Sequence, residues 1–355
     1  MSKSGKKVLV ALSGGVDSSV SAALLKDEGY EVHGAFIKTW TAPWMPCTWR
    51  EERRDAMRVA ALLHIPFHTI DLSKEYEEQV VQYLIDEYKK GRTPNPDVMC
   101  NKHIKFGGFF DWAMNNRYNF VATGHYAQRS DKDGKTLLLA GKDEKKDQTY
   151  FLWTLTQEHL RKTLFPVGGF EKKKVRELAE SYKLPTASKK DSQGICFLGK
   201  VDMKDFLKHY IPPEQGNVLD IAGEVIGHHD GAVFVTLGQR HGFTITKKTP
   251  ESRPQYVVEK NIHDNTVTVA EENNKVTEKN KEIYLTDVNW IGQFEKDCSA
   301  RLRYNQPLFE VRVQKDVEQT YVVPKNPQPY VPKGQSMVFY KNGVCLGGGI
   351  INQAV

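Results

Sequence analysis

A short apolar run, Lys7–Leu12, passes directly into Ser13-Gly14-Gly15-Val16-Asp17-Ser18-Ser19 and then into a helix pattern over Ser18–Glu28. A buried-type strand, a two-glycine turn and a helix in that order leave few folds open. The glycines allow a tight turn with backbone N–H groups facing inward. Ser18 and Ser19 open a helix whose first N–H groups have no partner within it and favour an anion. The place suits a phosphate. Gly-Lys-Ser/Thr and Gly-x-Gly-x-x-Gly are both absent, so neither of those two phosphate loops is present. Asp17 in such a site would repel phosphate unless Mg2+ lay between them. The plain alternative is a glycine-rich turn that caps a helix.

The next 180 residues repeat the strand–helix theme. Strand patterns lie at Glu31–Lys38, Phe67–Asp71 and Phe120–Thr123. Helix patterns lie at Glu51–Leu63, Tyr76–Tyr88, Phe106–Asn115, Glu171–Tyr182 and Asp202–Tyr210. This alternation predicts an α/β, Rossmann-like parallel sheet covered on both faces, with ligands beyond the carboxyl ends of the strands. After Pro212-Pro213 the texture changes. Gly223–Gly227, Ala232–Thr236, Gln255–Glu259 and Thr266–Ala270 read as short strands. Glu282–Val288, Ser299–Arg303, Leu308–Val313, Gln319–Val323, Ser336–Lys341 and Val344–Ile351 read as six more, the number of a small β-barrel. The expected domains are 1–210, 211–275 and 276–355.

Charge is uneven. Residues 1–210 carry 34 Lys and Arg against 27 Asp and Glu, whereas residues 211–355 carry 16 against 17. Seven basic and two acidic residues fall within Lys172–Lys190. Lys172, Lys173, Lys174 and Arg176 sit at a helix start, where they oppose the dipole, so contact with phosphate is the functional reading and a solvated face the plain one. Lys189 and Lys190 stand where a phosphate backbone would pass. With 39% hydrophobic and 26% charged residues, the chain is neither fibrous nor wholly disordered. No run of 18 apolar residues offers a membrane span, and the N-terminal stretch reads as a mature cytosolic start. Five widely spaced cysteines match neither a disulfide scaffold nor a compact zinc cluster, so a reducing compartment is expected.

Two of those cysteines sit in polar, Gly/Pro-rich strings. In Gly91-Arg92-Thr93-Pro94-Asn95-Pro96-Asp97-Val98-Met99-Cys100-Asn101-Lys102 the prolines are expected to hold the chain extended. Asp97, three residues before Cys100, could move a proton for a bound base. Lys102 and His103 could favour a thiolate. In Lys189-Lys190-Asp191-Ser192-Gln193-Gly194-Ile195-Cys196-Phe197-Leu198, Cys196 follows a basic run. The plain alternative for each is a buried small hydrophobe. Cys47, Cys298 and Cys345 read as structural, and a Cys47/Cys100/Cys196 iron–sulfur or zinc site is the minor alternative.

The Ser13–Ser19 string resembles the pyrophosphatase loop of ATP-pyrophosphatases. With Gly91–Lys105, Ala122–Tyr126, Lys146–Leu152, Lys190–Phe197, Thr236–Gly242 and Gly343–Ile350, the chain resembles the bacterial and mitochondrial tRNA-specific 2-thiouridylase family along nearly its whole length. It departs from that family around Cys47, where it is short and lacks an acidic segment. The resemblance implies that Ala11, Leu12, Ser13, Gly14, Gly15, Val16, Asp17, Ser18, Ile37 and Gly124 line the ATP site. It implies that Cys196 carries a persulfide, that Cys100 is the second catalytic cysteine, and that the two form a transient disulfide. Asn95, Pro96 and Asp97 would contact the target base, with His125 beside ATP and the tRNA. Lys146, Asp147, Gln148, Arg303, Tyr304 and Gln335 would contact tRNA. The implied reaction is ATP-dependent 2-thiolation of the wobble uridine, with Mg2+ at the pyrophosphate. The implied partners are the tRNAs for Lys, Glu and Gln and a persulfide donor, either a sulfur-relay protein or a cysteine desulfurase. A cytoplasmic monomer would suffice. Two other classes stay open: another ATP-pyrophosphatase ligase, which would ignore tRNA, and a non-catalytic tRNA-binding protein, which would release no pyrophosphate.

Overall fold

The computed structural model describes residues 3–190, 201–246, 253–271, 281–316 and 319–355. Its first part begins with β1 (Lys7–Ala11), α1 (Val16–Asp27), β2 (Glu31–Lys38), α2 (Trp49–Leu62) and β3 (Phe67–Asp71). A continuous helical stretch follows, through α3 (Ser73–Tyr76), a π-helical turn at Glu77–Val81 and α4 (Gln82–Lys89). Next come α5 (Pro96–Met99), a π-helical stretch over Cys100–Gly108, α6 (Phe109–Asn115) and β4 (Phe120–Ala122). The hairpin β5 (Ala127–Lys132) and β6 (Lys135–Ala140) precedes α7 (Gln157–Arg161), β7 (Thr163–Leu164) and α8 (Lys172–Ser181). The short helix α9 (Met203–Lys208) completes the part, capped by the Asp202 carboxylate.

The parallel sheet has the order β3-β2-β1-β4-β7. Its central strand is apolar throughout its middle, Val8, Leu9 and Val10 all being fully buried. Leu9 faces a core with Tyr76, Val80, Leu84 and Phe109. Val8 and Val10 face a second core with Val20, Ala23, Val59 and Val175. Both faces are therefore covered, as a run of consecutive apolar residues requires. The chain leaves β1 and continues to β2 on one side, then returns to β4 on the other. The order reverses between β1 and β4, and a crevice opens beyond their carboxyl ends.

The second part is a five-stranded sheet built from β8 (Gly216–Leu219), β9 (Val225–His229), β10 (Phe243–Ile245), β11 (Gln255–Asn261) and β12 (Thr266–Glu271). Ala232–Thr236, expected as a strand, instead opens with a 3-10 turn over Ala232–Phe234 that buries Ala232 and Phe234. The third part contains β13 (Ile283–Trp290), β14 (Asp297–Arg301), β15 (Phe309–Lys315), β16 (Thr320–Pro324), β17 (Ser336–Lys341) and β18 (Val344–Ala354). These are the six expected strands, and β13 pairs with both β16 and β18, which closes the barrel. Val313, Val322, Met337, Phe339 and Ile351 fill its interior.

One connection has no counterpart in the sequence reading. The hairpin β5–β6 leaves the parallel sheet and joins the barrel, where Leu138 pairs with Cys345 and Leu139 with Val344. It takes the part of the β18 edge that β13 leaves unpaired, since β13 begins pairing at Gly347. The segment after it is anchored in the barrel too. Trp153 donates to Ser336 Oγ at 3.0 Å, and the Tyr150 hydroxyl donates to Leu302 O and Ser336 O. Leu138 is fully buried in the core shared by the two parts. Leu138→Ala is expected to destabilise the protein by about 2–5 kcal/mol, read as a lower midpoint of urea unfolding. A midpoint equal to wild type would show that the hairpin adds nothing to the joint. No helix of the described residues is long and apolar enough to cross a membrane.

Candidate active site

The loop after β1 lies in the crevice at the switch point. Leu12 is buried and packs so closely on Gly34 that a Cβ there would lie 2.5 Å from Leu12 Cδ1. Gly14 has φ +74, and a Cβ on it would lie 2.4 Å from the Glu52 carbonyl oxygen on α2. Only glycine fits both the angle and the space. Gly15 is the N-cap of α1 and supplies no side chain to the free N–H groups there. The serines work within the loop. Ser13 N donates to Ser18 Oγ at 3.2 Å, and Ser18 and Ser19 hydroxyls donate to Gly15 O at 3.2 and 2.7 Å. The result is a pre-formed turn with N–H groups at a helix start, which is what a phosphate needs. Ala11 is the last residue of β1 and Ile37 the penultimate residue of the neighbouring β2.

Gly124, at the turn after β4, packs directly against the start of α1. A Cβ on it would lie 2.7 Å from Ser18 N and 2.9 Å from the Asp17 carbonyl carbon. The adjoining His125 is buried between Thr123 and Lys105. Lys105 Nζ can only donate, so it donates to His125 Nε2 at 3.3 Å. The ring proton is thus on Nδ1, which donates to Thr123 Oγ1 at 2.7 Å. Burial, and then the Lys105 charge, holds the His125 pKa well below its ordinary value, so the ring is neutral. Lys105 belongs to the π-helical stretch that starts at Cys100, so that stretch reaches the crevice.

Asp17 is held differently from the expectation. Lys172 Nζ lies 2.7 and 2.8 Å from its two carboxylate oxygens, and the Tyr126 hydroxyl donates to Oδ1 at 2.8 Å. The negative charge in the loop is thus met by a lysine of this chain. Lys189 Nζ donates to Gly14 O at 3.0 Å and to Asp55 at 2.8 Å. Arg176 donates to Ala187 O and Lys189 O, and Lys174 pairs with Glu177. The basic cluster at the start of α8 was expected to face outward to phosphate. Of its four members, Lys172, Lys174 and Arg176 all have partners inside the chain, and two of them brace the loop directly or through Lys189. Tyr126, Lys105 and Thr123 were not singled out by sequence, because their partners lie on other elements.

The cysteine helix also departs from the expectation of an extended chain. Pro96 occupies the first helical position, and Asn95 caps α5 by accepting from Asp97 N at 3.1 Å and Val98 N at 3.2 Å. Proline at the first turn loses no hydrogen bond and asparagine is a favoured cap. Asp97 and Cys100 are three apart on one helical run and share a face. Cys100 is 2% exposed. His103 gives it no positive charge, because burial and then Lys102 lower its pKa and keep the ring neutral. Asn101 is buried and donates to Phe151 O at 3.2 Å, which ties the helix to the Gln148–Leu152 segment.

The residues proposed for tRNA divide. Gln148 braces Tyr126, accepting from its N–H and donating its own to the carbonyl. Asp147 is 3% exposed and points inward, where it accepts from Gly141 N, Thr149 N and the Thr149 hydroxyl. It shapes the turn that presents the half-buried Lys146 and offers no surface of its own. Tyr304 packs on Phe151 with ring centroids 4.7 Å apart and the planes tilted by 40°. Arg303 donates to Leu237 O at 2.7 Å, bridging the barrel and the middle part. Gln335 donates to Thr93 O and Pro94 O at 2.9 and 3.3 Å, just ahead of Asn95. Cys196, and with it the Cys100–Cys196 pairing, lies outside the described residues. Cys47 is exposed; Cys345 is buried and Cys298 half-buried, with thiol pKa values pushed up by burial to about 12. Among the described residues no three His, Cys, Asp or Glu side chains converge as metal ligands.

Residues 6–200 match the family described as tRNA methyl transferase HUP domain. Residues 204–271 match the tRNA methyl transferase PRC-barrel domain, and 280–351 the aminomethyltransferase beta-barrel domain. The chain is 44% identical to the tRNA-specific 2-thiouridylase MnmA of Streptococcus thermophilus, over 98% of this chain and 95% of that one. It is 43% identical to the MnmA of Idiomarina loihiensis, over 100% and 98%. A solved U34-tRNA thiolase, NcsA from Methanococcus maripaludis with its [4Fe-4S] cluster, covers 59% of this chain and 68% of its own at 18% identity and TM-score 0.37. By its full-length likeness at this identity, the chain belongs to the tRNA-specific 2-thiouridylase family.

Proposed function

We propose that the chain is a tRNA uridine 2-sulfurtransferase that replaces the C2 oxygen of the wobble uridine with sulfur, at the cost of one ATP cleaved to AMP and pyrophosphate. The observation that carries this reading is the switch-point crevice. There a serine- and glycine-lined helix start faces Gly124, and the helix that bears Cys100 reaches the same turn through Lys105. ATP lies with its phosphates on the Ser13–Ser18 turn. Asn95, Pro96 and Asp97 hold the extruded base, which a tRNA loop can release from its stack. Adenylation turns the C2 oxygen into a leaving group.

Sulfur then moves in balanced steps. The Cys100 thiolate attacks Sγ of the Cys196 persulfide, a Cys100–Cys196 disulfide forms, and hydrosulfide departs. Hydrosulfide adds at C2, AMP leaves, and 2-thiouridine remains. The sulfur is reduced as the two cysteines are oxidised, and an external thiol resets them. Mg2+ accompanies the nucleotide. The loop offers it a single carboxylate, Asp17, already engaged by Lys172, which fits a cation held mainly by phosphate oxygens. It would neutralise charge on the departing pyrophosphate. The tRNAs for Lys, Glu and Gln, a sulfur-relay protein or desulfurase as donor, and a cytoplasmic setting complete the proposal.

The test is purified protein with ATP, Mg2+, unmodified tRNA and a persulfide source, followed by nucleoside mass spectrometry. The expected product carries sulfur in place of oxygen at the wobble uridine. A methylated nucleoside, or no change in mass with full pyrophosphate release, would overturn the reading.

A further inference from the structure

The three parts of the chain meet at Gly91–Pro94, which ends directly before the Asn95 cap of the Cys100 helix. Gly91 has φ +72, and a Cβ on it would lie 2.3 Å from Ile262 of the middle part. Thr93 Oγ1 lies 3.2 Å from Thr236 Oγ1 on the same side. The barrel grips the opposite side. Thr93 N donates to Lys333 O at 2.7 Å, and Gly334 packs so closely that a Cβ there would lie 3.0 Å from Thr93 N.

Arg92 is the hub of this joint. Its Nε lies 2.6 Å from Glu87 Oε2 on α4, an ion pair without hydrogen-bond alignment, and both side chains are largely buried. Its Nη1 donates to Asn352 Oδ1 at 2.9 Å and its Nη2 to Ile351 O at 3.3 Å, both on β18. A planar guanidinium can hold a helix and a strand at once in fixed register, which an ammonium cannot. Seven residues separate Arg92 from Cys100, and the intervening chain is fixed by the Asn95 cap and a helix.

We propose that Arg92 is a positioning residue for Cys100: it locks the start of the cysteine helix to the C-terminal strand of the barrel. The proposal rests on the assignment of Cys100 as a reacting thiol. Through this joint the barrel sets where the thiol stands, in addition to any surface it offers tRNA. Residues that hold a reacting group act on turnover more than on binding, and a displacement of about 1 Å can cost on the order of 100-fold.

The experiment compares wild type, Arg92→Ala, Arg92→Lys and Asn352→Ala in three measurements. They are thiouridine kcat and KM for tRNA, direct tRNA binding, and the rate at which iodoacetamide labels Cys100, read by peptide mass spectrometry. For Arg92→Ala the expected result is a kcat lower by roughly 10- to 100-fold, with KM and tRNA binding within about twofold, and faster labelling of Cys100. Arg92→Lys is expected to fall nearly as far. Asn352→Ala, at an exposed residue, is expected to show a smaller loss of the same kind. An unchanged kcat, a loss wholly in KM, or unchanged labelling would overturn the proposal. If Arg92→Ala does not fold, Asn352→Ala decides by the same three readouts. Labelling needs no tRNA chemistry, so it judges Arg92 even if wild type makes no thiouridine.

Discussion

Serine at position 100 is expected to end 2-thiouridine formation, with turnover lower by on the order of 10³-fold or more, the scale of losing a nucleophile. Pyrophosphate release on tRNA should continue. In the proposed reaction adenylation draws on the phosphate turn, Gly124 and a held base, and not on the thiol. Sulfur release does, because a serine hydroxyl is not ionised near neutral pH and cannot enter a disulfide. The exchange is nearly isosteric, but the site is 2% exposed, and a hydroxyl is costlier to bury than a thiol. Thermal unfolding of the variant therefore belongs beside the activity assay. Thiouridine made by the serine protein at near the wild-type rate would mean that the Cys196 persulfide attacks C2 unaided. Loss of pyrophosphate release as well would place Cys100 in the adenylation step.

The parts of the molecule that were legible in its sequence are those fixed by short-range pattern. The turn after β1 was legible because its glycines and serines act on one another within seven residues. The six barrel strands were legible because each is a short apolar or alternating run that ends at a glycine, proline or polar turn. Pairing across long separations was not. Nothing near Leu138 indicates that its partner is Cys345, two domains away in the chain. The cluster at the start of α8 looked like unmet positive charge because its partner Asp17 is 155 residues distant. Asn95-Pro96 is a separate case. A cap followed by proline at the first helical position is a local start signal. The two prolines, which also favour an extended chain, mask that signal, and α5 begins there.

Gly124→Ala is expected to weaken ATP binding about 10- to 100-fold and to lower pyrophosphate release with it, while tRNA binding is kept. The methyl group would lie 2.7 Å from Ser18 N, 2.9 Å from the Asp17 carbonyl carbon and 3.1 Å from Asp17 Cβ. Two of the three are backbone atoms of the first turn of α1, so no side-chain rotation relieves the contact. Either β4 or the start of α1 must move. β4 is held on both sides, by β1 and β7, and its residues Val121 and Ala122 are fully buried. The helix start, which has no side-chain cap, is the softer of the two. Overpacking of this kind costs about 1–3 kcal/mol. When the displaced element is the phosphate turn itself, that cost is felt as ATP affinity at about tenfold per 1.4 kcal/mol. Gly292 provides the control, since a Cβ there meets nothing within 4 Å, and Gly292→Ala should bind ATP as wild type does. Titration calorimetry with ATP on the three proteins makes the comparison. Wild-type affinity in Gly124→Ala would separate the nucleotide from the β1–β4 crevice, and with it the phosphate turn from the chemistry assigned to it.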